Sequence, residues 1–183
     1  MKTWWCRFNT YLAVSLALTF ICGCDTEKSK QKKIVATLRL HQELRPDPMG
    51  KTEEATIFRE HPIKMTIARE PFLTEAHVKE AKVIDSLGGF AVSIQFDRQG
   101  TWLLEQFTAA TRGKHVLIFS QFIGPKEEKL NKGRWLAAPK IQNHIADGLI
   151  IFTPDATREE AERIALGLSN VAKKLGNNEE SAF

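Results

Sequence analysis

The chain has 183 residues, of which 26 are lysine or arginine and 22 are aspartate or glutamate, so its formal net charge is +4. Two of the basic residues and none of the acidic ones lie in the first 23 positions, which leaves 24 basic against 22 acidic residues and a net charge of +2 for the remainder. The sequence has no basic helix face, no RNA-binding aromatic pattern, no zinc-ligand spacing, and neither a GxGxxG nor a P-loop motif. Composition and motifs therefore exclude nucleic acids and nucleotides as predicted ligands.

The N-terminal segment has the pattern of an export signal. Lys2 and Arg7 are its only charged residues, and an uncharged, mostly apolar run follows from Tyr11 to Cys22. A positive start followed by a short apolar run is typical of a signal peptide. The run is shorter than the roughly 20 apolar residues that a transmembrane helix needs. We therefore predict that residues 1–23 are a cleaved signal peptide.

The end of this run resembles the lipobox of bacterial lipoproteins, in which a branched apolar residue and a small residue precede the cysteine that receives diacylglycerol. The matching residues are Ile21, Cys22, Gly23 and Cys24. The resemblance implies cleavage before Cys24, a thioether to lipid on its sulfur, and acylation of the freed amine by a fatty acid such as palmitate. Each buried methylene adds about 0.8 kcal/mol, so two or three acyl chains hold a protein stably at a membrane. An ordinary secreted protein that is cut nearby is the alternative.

The cysteines and the residues after the lipobox fit this interpretation. Cys6 and Cys22 would leave with the signal, so the mature chain keeps only the lipidated Cys24 and has no disulfide of its own. About 160 residues suffice for one domain held by its core. The segment DTEKSKQKK, Asp25–Lys33, is charged throughout and predicts a solvated tether. We expect a lipid-anchored protein of the cell membrane that faces the periplasm or the exterior, with no cofactor besides the covalent lipid.

The tether is followed by a series of short segments with the periodicity of strands. The predicted strands are Ile34–Leu40, Ala55–Arg59, Ile63–Ala68, Lys82–Ser86, Phe90–Phe96, Lys114–Phe122, Arg134–Ala138, Lys140–Ile145 and Leu149–Phe152. Gly88 and Gly89 predict a tight reversal between two of them. Apolar residues of both parities in Lys114–Phe122 predict a central strand that is buried on both faces.

Two helices are predicted between and after these strands. Asp97 caps the first, which has an apolar side and ends at Gly113. Thr157 and Glu160 form a capping box for the second, which ends at Gly176. The order of elements predicts an α+β fold, a two-layer sandwich of a mixed β-sheet with two main helices on one face. We expect this domain to span residues 34–175 and residues 176–183 to be a disordered tail.

Several segments, in order, resemble the periplasmic head subdomain of SecD, the accessory subunit of the bacterial Sec translocase. They include FLTEAHVKEAKV at Phe72–Val83, AVSIQFDRQG at Ala91–Gly100, the apolar strand at Gly113–Phe119, and FTPDATREEAERIALGL at Phe152–Leu168. Ala138, Pro139, Ile141, Ile145 and the Asp147-Gly148 pair match further positions between them. The resemblance covers Phe72–Leu175 and implies contact with exported polypeptide or translocase components. SecD carries proton-coupled carboxylates on transmembrane helices that this chain lacks, and Ile123–Trp135 replaces a short turn of the family.

No arrangement of residues indicates catalysis or metal binding. The histidines, His41, His61, His77, His115 and His144, are scattered without metal-ligand spacing. His144 and Asp147 are close in sequence, but no serine or cysteine nucleophile with an elbow-like glycine context lies nearby. Asp97 is better explained as a helix cap and Asp147 as a turn residue than as a carboxylate pair. We therefore expect no enzymatic activity.

The predicted partner contact consists of Trp102, Arg134 and Trp135, because exposed aromatic residues and arginine are enriched in protein interfaces. Packing at the edge of the core is the alternative for these residues. The leading hypothesis is a membrane-anchored binding module that contacts exported polypeptide or translocase components. A structural or adaptor lipoprotein of the envelope with no part in export is the competing hypothesis, because fold does not fix function. A hydrolase would require clustered carboxylates with perturbed pKa values.

Overall fold

A computed structural model of the chain describes residue 31 and residues 33–123, 129–130 and 133–180, with side chains up to residue 176. The predicted signal peptide, the lipobox residues Ile21, Cys22 and Gly23, and the lipidation site Cys24 lie outside the described residues. The same is true of much of the predicted tether and of a large part of the Ile123–Trp135 insert. In the described part of the chain, no helix has both the length and the apolar character needed to cross a membrane.

The described part contains short strands, two α-helices and one turn of 3₁₀ helix at Glu75–His77. The strands are β1 (Arg39–Gln42), β2 (Thr52–Ile57), β3 (Ile63–Ala68), β4 (Leu73–Thr74), β5 (Val78–Ser86), β6 (Gly89–Phe96), β7 (Val116–Ser120), β8 (Arg134–Ala137) and β9 (Leu149–Phe152). The helices are α1 (Arg98–Ala110) and α2 (Arg158–Glu180). One sheet has the order β4-β1-β7-β8, a second consists of β2 and β3, and a third has the order β5-β6-β9.

The α+β class with two main helices is confirmed, but the arrangement of the sheets differs from the prediction of one mixed sheet. All strand pairs described are antiparallel, and they are divided among three sheets. A parallel pair needs a crossover connection. Helix α1 lies between β6 and β7 and could have served as the crossover between two parallel strands of one sheet. These two strands lie in different sheets, so no parallel pair results.

Two clusters of apolar side chains hold the sheets and helices together. The larger cluster packs the buried stripe of α2, including Ile164 and Leu168, against β5 and β6. The smaller cluster consists of Ala55, Ile57, Ile67 and Leu117, and it covers the other face of β7. Val116 and Ile118 of β7 belong to the larger cluster, whereas Leu117 belongs to the smaller one. The prediction that this strand is central and buried on both faces is therefore confirmed.

Both helices begin where their capping residues predicted. The Asp97 carboxylate accepts a hydrogen bond from the backbone N–H of Gly100 at 2.7 Å. The Thr157 hydroxyl accepts from the Glu160 N–H at 3.2 Å, and the Glu160 carboxylate accepts from the Thr157 N–H at 2.9 Å. This reciprocal pair is the capping box, which satisfies two N–H groups that a helix start otherwise leaves without partners.

Both helix ends differ from the prediction. Helix α1 ends at Ala110, before Gly113, because the backbone of Thr111 leaves the helical region, with a φ of −123° and a ψ of 32°. Helix α2 continues through Glu180 instead of stopping at Gly176. Gly176 does not adopt the positive φ with which glycine ends a helix. Inside a helix, glycine is unfavourable by only about 1 kcal/mol, which does not end it.

One predicted strand is absent and one short strand was not predicted. Lys140–Ile145 forms only an isolated bridge between Lys140 and His115. At its other end, the Ile145 N–H donates to the Thr108 hydroxyl of α1 at 3.0 Å, so the end of this segment is bonded to a helix. Strand β4 has only two residues, which is too short for an alternating pattern to appear.

Candidate functional site

The three residues of the predicted partner contact have different environments. Trp102 lies on α1 with 56% of its surface exposed. Trp135 packs edge-on against Phe119 and His41, with ring centroids 5.1 Å and 5.3 Å apart, beside the smaller apolar cluster. No aromatic contact in the described part of the chain joins Trp102 to Trp135. Trp102 is therefore an exposed side chain, whereas Trp135 has the edge-of-core packing that was its alternative explanation.

Arg134 has a structural role that accounts for its charge. Its guanidinium lies 2.6 Å from the Glu160 carboxylate and 5.2 Å from the centre of the Phe122 ring. Burial raises the pKa of Glu160, but hydrogen bonds from the Thr157 N–H and from Arg134 outweigh it, and the net shift is downward. Arg134 thus binds β8 to the start of α2 through an ionised carboxylate.

A groove of about 280 Å³ runs beside β9 and offers a better candidate for binding a partner. One wall is β9 itself, and the other is formed by residues 139–145, which follow β8. The lining is mostly apolar and consists of Leu104, Thr108, Val116, Pro139, Lys140, Ile141, Gln142, Asn143, Ile145, Leu149, Ile150 and Ile151. This groove was not predicted from the sequence, because its walls come from segments that are far apart along the chain.

The wall opposite β9 is fixed by hydrogen bonds to two other elements. The Ile145 N–H donates to the Thr108 hydroxyl of α1, and the His144 imidazole lies 3.3 Å from the Glu105 carboxylate of the same helix. On the other side, the Ile141 N–H donates to the Lys114 carbonyl at 2.8 Å. The groove is therefore formed in the free protein. The polar partner of His144 is Glu105, whereas Asp147 accepts a hydrogen bond from the Leu149 N–H. The two residues are close in sequence but are not arranged as a catalytic pair.

The edge of β9 that faces away from β6 has main-chain groups available for pairing. The Phe96 N–H donates to the Gly148 carbonyl at 2.9 Å, and the register pairs Ile94 with Ile150. In an antiparallel pair the hydrogen-bonded positions alternate, so the main-chain groups of Ile150 point to β6 and those of Ile151 point away. The N–H and C=O of Ile151 have no partner among the described residues.

Leu149 has the same orientation as Ile151, because it is two residues away in the strand. Its N–H is already occupied by the Asp147 carboxylate at 3.1 Å, which leaves its carbonyl available. The side chains of Ile150 and Phe152 are buried in the larger cluster, whereas Ile151 is 50% exposed on the other face. This edge therefore combines three free hydrogen-bonding groups with an exposed apolar side chain next to an apolar groove.

The described residues contain no group of three or more histidine, cysteine, aspartate or glutamate side chains that would hold a metal ion. Three histidine side chains have polar partners in the described part of the chain: His41 bonds the Ala68 carbonyl, His115 bonds the Glu43 carboxylate, and His144 lies beside the Glu105 carboxylate. Asp97 caps a helix and Asp147 closes a turn before β9, as predicted. The geometry of this region supports contact with a partner through the groove beside β9 and through the free edge of that strand.

Comparison with known proteins gives a family match. The family model for the SecDF P1 head subdomain matches residues 52–172. A chain of SecDF, a membrane component that enhances protein export, is 22% identical over 82% of this chain and 71% of its own length, with a TM-score of 0.52. SecDF in a super-membrane-facing form is 21% identical over 79% of this chain and 21% of its own, with a TM-score of 0.51. At these identities the structures share the fold, and no match was found among curated proteins.

Proposed function

This chain belongs to the SecDF P1 head subdomain family, and from that membership we propose that it is a non-catalytic binding module of the cell envelope that contacts exported polypeptide or components of the Sec translocase. The observation that carries this proposal is the free edge of β9 beside the apolar groove. A polypeptide in transit is unfolded, so it presents unpaired main-chain groups together with apolar side chains. A strand edge that lies next to an apolar groove is complementary to both of these features.

The mode of binding that fits this edge is the addition of a strand. An extended segment alongside β9 would exchange two main-chain hydrogen bonds with Ile151 and donate a third to the Leu149 carbonyl. Main-chain pairing is insensitive to sequence, and the groove favours apolar side chains at alternate positions. The site would therefore accept many different exported chains, provided that they are extended and partly apolar.

The membrane anchor is the second part of the proposal. Cys24 would carry the covalent lipid, and Lys28, Lys30, Lys32 and Lys33 would add attraction to anionic headgroups, about 1 kcal/mol for each lysine near the surface. The charged tether would let the domain move while it stays near the membrane. Its position would be at the cell membrane, facing the periplasm or the exterior, where exported chains emerge.

Photo-crosslinking in intact cells tests the site. A photoreactive residue would replace Ile151 at the edge of β9 or, as the control, Leu87, which is also an exposed aliphatic residue but lies in the turn between β5 and β6. We expect precursors of exported proteins, or Sec components, to be captured from position 151 and not from position 87. Equal capture from both positions, or capture of lipid and peptidoglycan partners alone, would reject the export role.

The variant Ile151→Pro separates main-chain pairing from side-chain contact. Proline removes the outward N–H of residue 151 but leaves the bonds of β9 to β6 intact, and an edge strand tolerates it when that N–H faces away from the sheet. Ile151→Ala keeps the N–H and removes most of the side chain. If a strand is added, Ile151→Pro should reduce crosslinking from a photoreactive residue at Ile145 more than Ile151→Ala does. The reverse order would indicate an apolar contact without strand pairing.

A further inference from the structure

A cleft at the N-terminal end of β7 contains positively charged side chains that have no part in the proposed function. Its volume is about 560 Å³, and it is bounded by the loop between β1 and β2 and by Lys114, which precedes β7. Three cations line it, Arg45, Lys51 and Lys114, together with Leu44 and Thr52. All three cationic side chains are on the exposed part of the surface.

None of the three cations has an ion-pair partner within 4 Å among the described residues. Two carboxylates also line the cleft, but internal donors occupy them. One oxygen of Glu43 accepts hydrogen bonds from both the backbone N–H and the Nδ1 of His115, at 2.8 Å and 2.7 Å. Asp47 accepts from the Met49 N–H at 3.0 Å, within a turn. The cleft therefore has three cations without an ion pair against two carboxylates, each of which accepts internal hydrogen bonds at one oxygen, and Lys114 is near enough to Glu43 to help lower the pKa of that carboxylate.

The loop that carries Arg45 and Lys51 is fixed at both ends. At its start, the Leu44 N–H donates to the Thr66 carbonyl at 2.9 Å. At its end, the Arg69 N–H donates to the Lys51 carbonyl at 3.0 Å. The Thr52 hydroxyl accepts from the Asp47 N–H, so its own hydrogen is available to a ligand. A fixed loop with unpaired cations and a free hydroxyl donor is suited to an anion with several acceptor oxygens.

We propose that this cleft binds a phosphate group. Arginine and lysine both recognise phosphate oxygens, the first as a planar fork and the second as a point charge. Three cations around one cleft match the several oxygens of a phosphate better than the two of a carboxylate. The phosphate could belong to a free phosphate ester or to a phospholipid headgroup, since the oxygens presented to the cleft are the same.

Calorimetric titration of the intact chain with inorganic phosphate at low ionic strength tests the proposal. We expect saturable binding at one site, and the triple variant Arg45→Gln, Lys51→Gln, Lys114→Gln should weaken it by roughly ten-fold or more. The matched control is the triple variant Lys64→Gln, Lys79→Gln, Lys82→Gln, which removes the same charge from exposed positions of β3 and β5. It should change the affinity by no more than about two-fold at the same salt concentration.

Two further measurements complete the test. The single variants Lys51→Arg and Lys51→Gln address the case in which the triple variant fails to fold, since the arginine should retain most of the affinity that the glutamine loses. Vesicles of phosphatidylglycerol that displace phosphate from the cleft would identify a headgroup as the source, whereas phosphate that is not displaced would identify a free ester. Titration without saturation, or an equal loss in the control triple variant, would overturn the proposal.

Discussion

At Gly167, α2 packs against the backbone of the segment before β1 without room for a side chain. A Cβ atom at this position would lie 2.7 Å from the Ala36 nitrogen and 2.8 Å from the Val35 carbonyl carbon. Both are backbone atoms, which cannot rotate away. We expect Gly167→Ala to lower the free energy of unfolding by about 1–3 kcal/mol through overpacking. This exceeds the roughly 1 kcal/mol that alanine gains over glycine in a helix.

The same helix provides the control. A Cβ atom added at Gly176 would meet no other atom within 4 Å, so Gly176→Ala should raise the free energy of unfolding by up to about 1 kcal/mol. Urea unfolding of the two variants beside the parent chain measures both changes. If Gly167→Ala were as stabilising as Gly176→Ala, the close approach of α2 to residues 35–36 would be wrong.

His41 makes the stability of the fold depend on pH. It is 5% exposed, and its Nδ1 lies 2.8 Å from the Ala68 carbonyl. Burial is the largest influence and lowers the pKa of His41 below its ordinary value of 6.5, although the hydrogen bond to Ala68 acts in the opposite direction. As the pH falls below 6.5, the unfolded chain binds a proton at this residue and the folded chain does not. The contribution of the neutral, buried His41 to the free energy of unfolding is therefore complete above pH 6.5, and it is lost as the pH falls towards the pKa of His41 in the folded chain.

We expect the free energy of unfolding to decrease between about pH 7 and pH 5, with His41 contributing a slope of at most about 1.4 kcal/mol per pH unit. His41→Gln should remove that part of the slope, whatever it does to the stability at neutral pH. Urea unfolding at several pH values measures the slope, and His61→Gln, which removes an exposed imidazole, serves as the control. An unchanged slope in His41→Gln would contradict this assignment.

At the scale of elements, the hairpin of β2 and β3 is held by a clamp at its tip. Phe58 has a φ of 66°, a left-handed conformation that is unfavourable by roughly 1–2 kcal/mol for a residue other than glycine. The next residue, Arg59, donates from its backbone N–H and its guanidinium to the Asp155 carboxylate at 3.0–3.3 Å. Because Asp155 lies just before α2, this clamp joins the hairpin tip to the start of the helix.

A double-mutant cycle of Arg59→Ala and Asp155→Ala tests the clamp. Since the Arg59 side chain is 54% exposed, we expect a coupling free energy of only about 0.5–1 kcal/mol. Hydrogen exchange should accelerate in β2 and β3 in the single variants, while the protection of β6 is unchanged. Additive effects of the two substitutions would show that the contact does not stabilise the hairpin.

The local elements could be predicted from the sequence, and their long-range arrangement could not. Strands β3 and β9 have the predicted bounds, and Asp97 and Thr157 cap the two helices, because alternation and capping depend on neighbouring residues. The division into three sheets depends on which distant strands pair, and periodicity carries no information about pairing. For the same reason, the groove between β9 and residues 139–145 was not predicted, and the contact of Arg134 with Glu160 was not distinguished from an exposed arginine.

At the scale of the whole molecule, the chain corresponds to one part of a larger membrane protein. It matches 21% of the length of SecDF in the super-membrane-facing form. In the proposed function, the lipid at Cys24 determines the position of the domain. A lipid anchor of this kind holds the domain at the membrane but supplies no energy to drive transport. Binding at β9 would therefore be passive, and the anchor and the binding site would be separable.

Cys24→Ser tests this separation. Without the thiol there is no attachment point for diacylglycerol, so we expect the protein to leave the membrane fraction and to partition into the aqueous phase of a detergent extraction. Cys22→Ser is the matched control, because it keeps a small residue at the second position before the lipidated cysteine. In detergent-free extracts, Cys24→Ser should still crosslink unfolded polypeptide through a photoreactive residue at Ile145, whereas Ile151→Pro should stay in the membrane and lose most of that crosslink. Mass spectrometry showing an unmodified Cys24 in the native protein would contradict the anchor and leave the proposal for β9 to be judged by its own crosslinks.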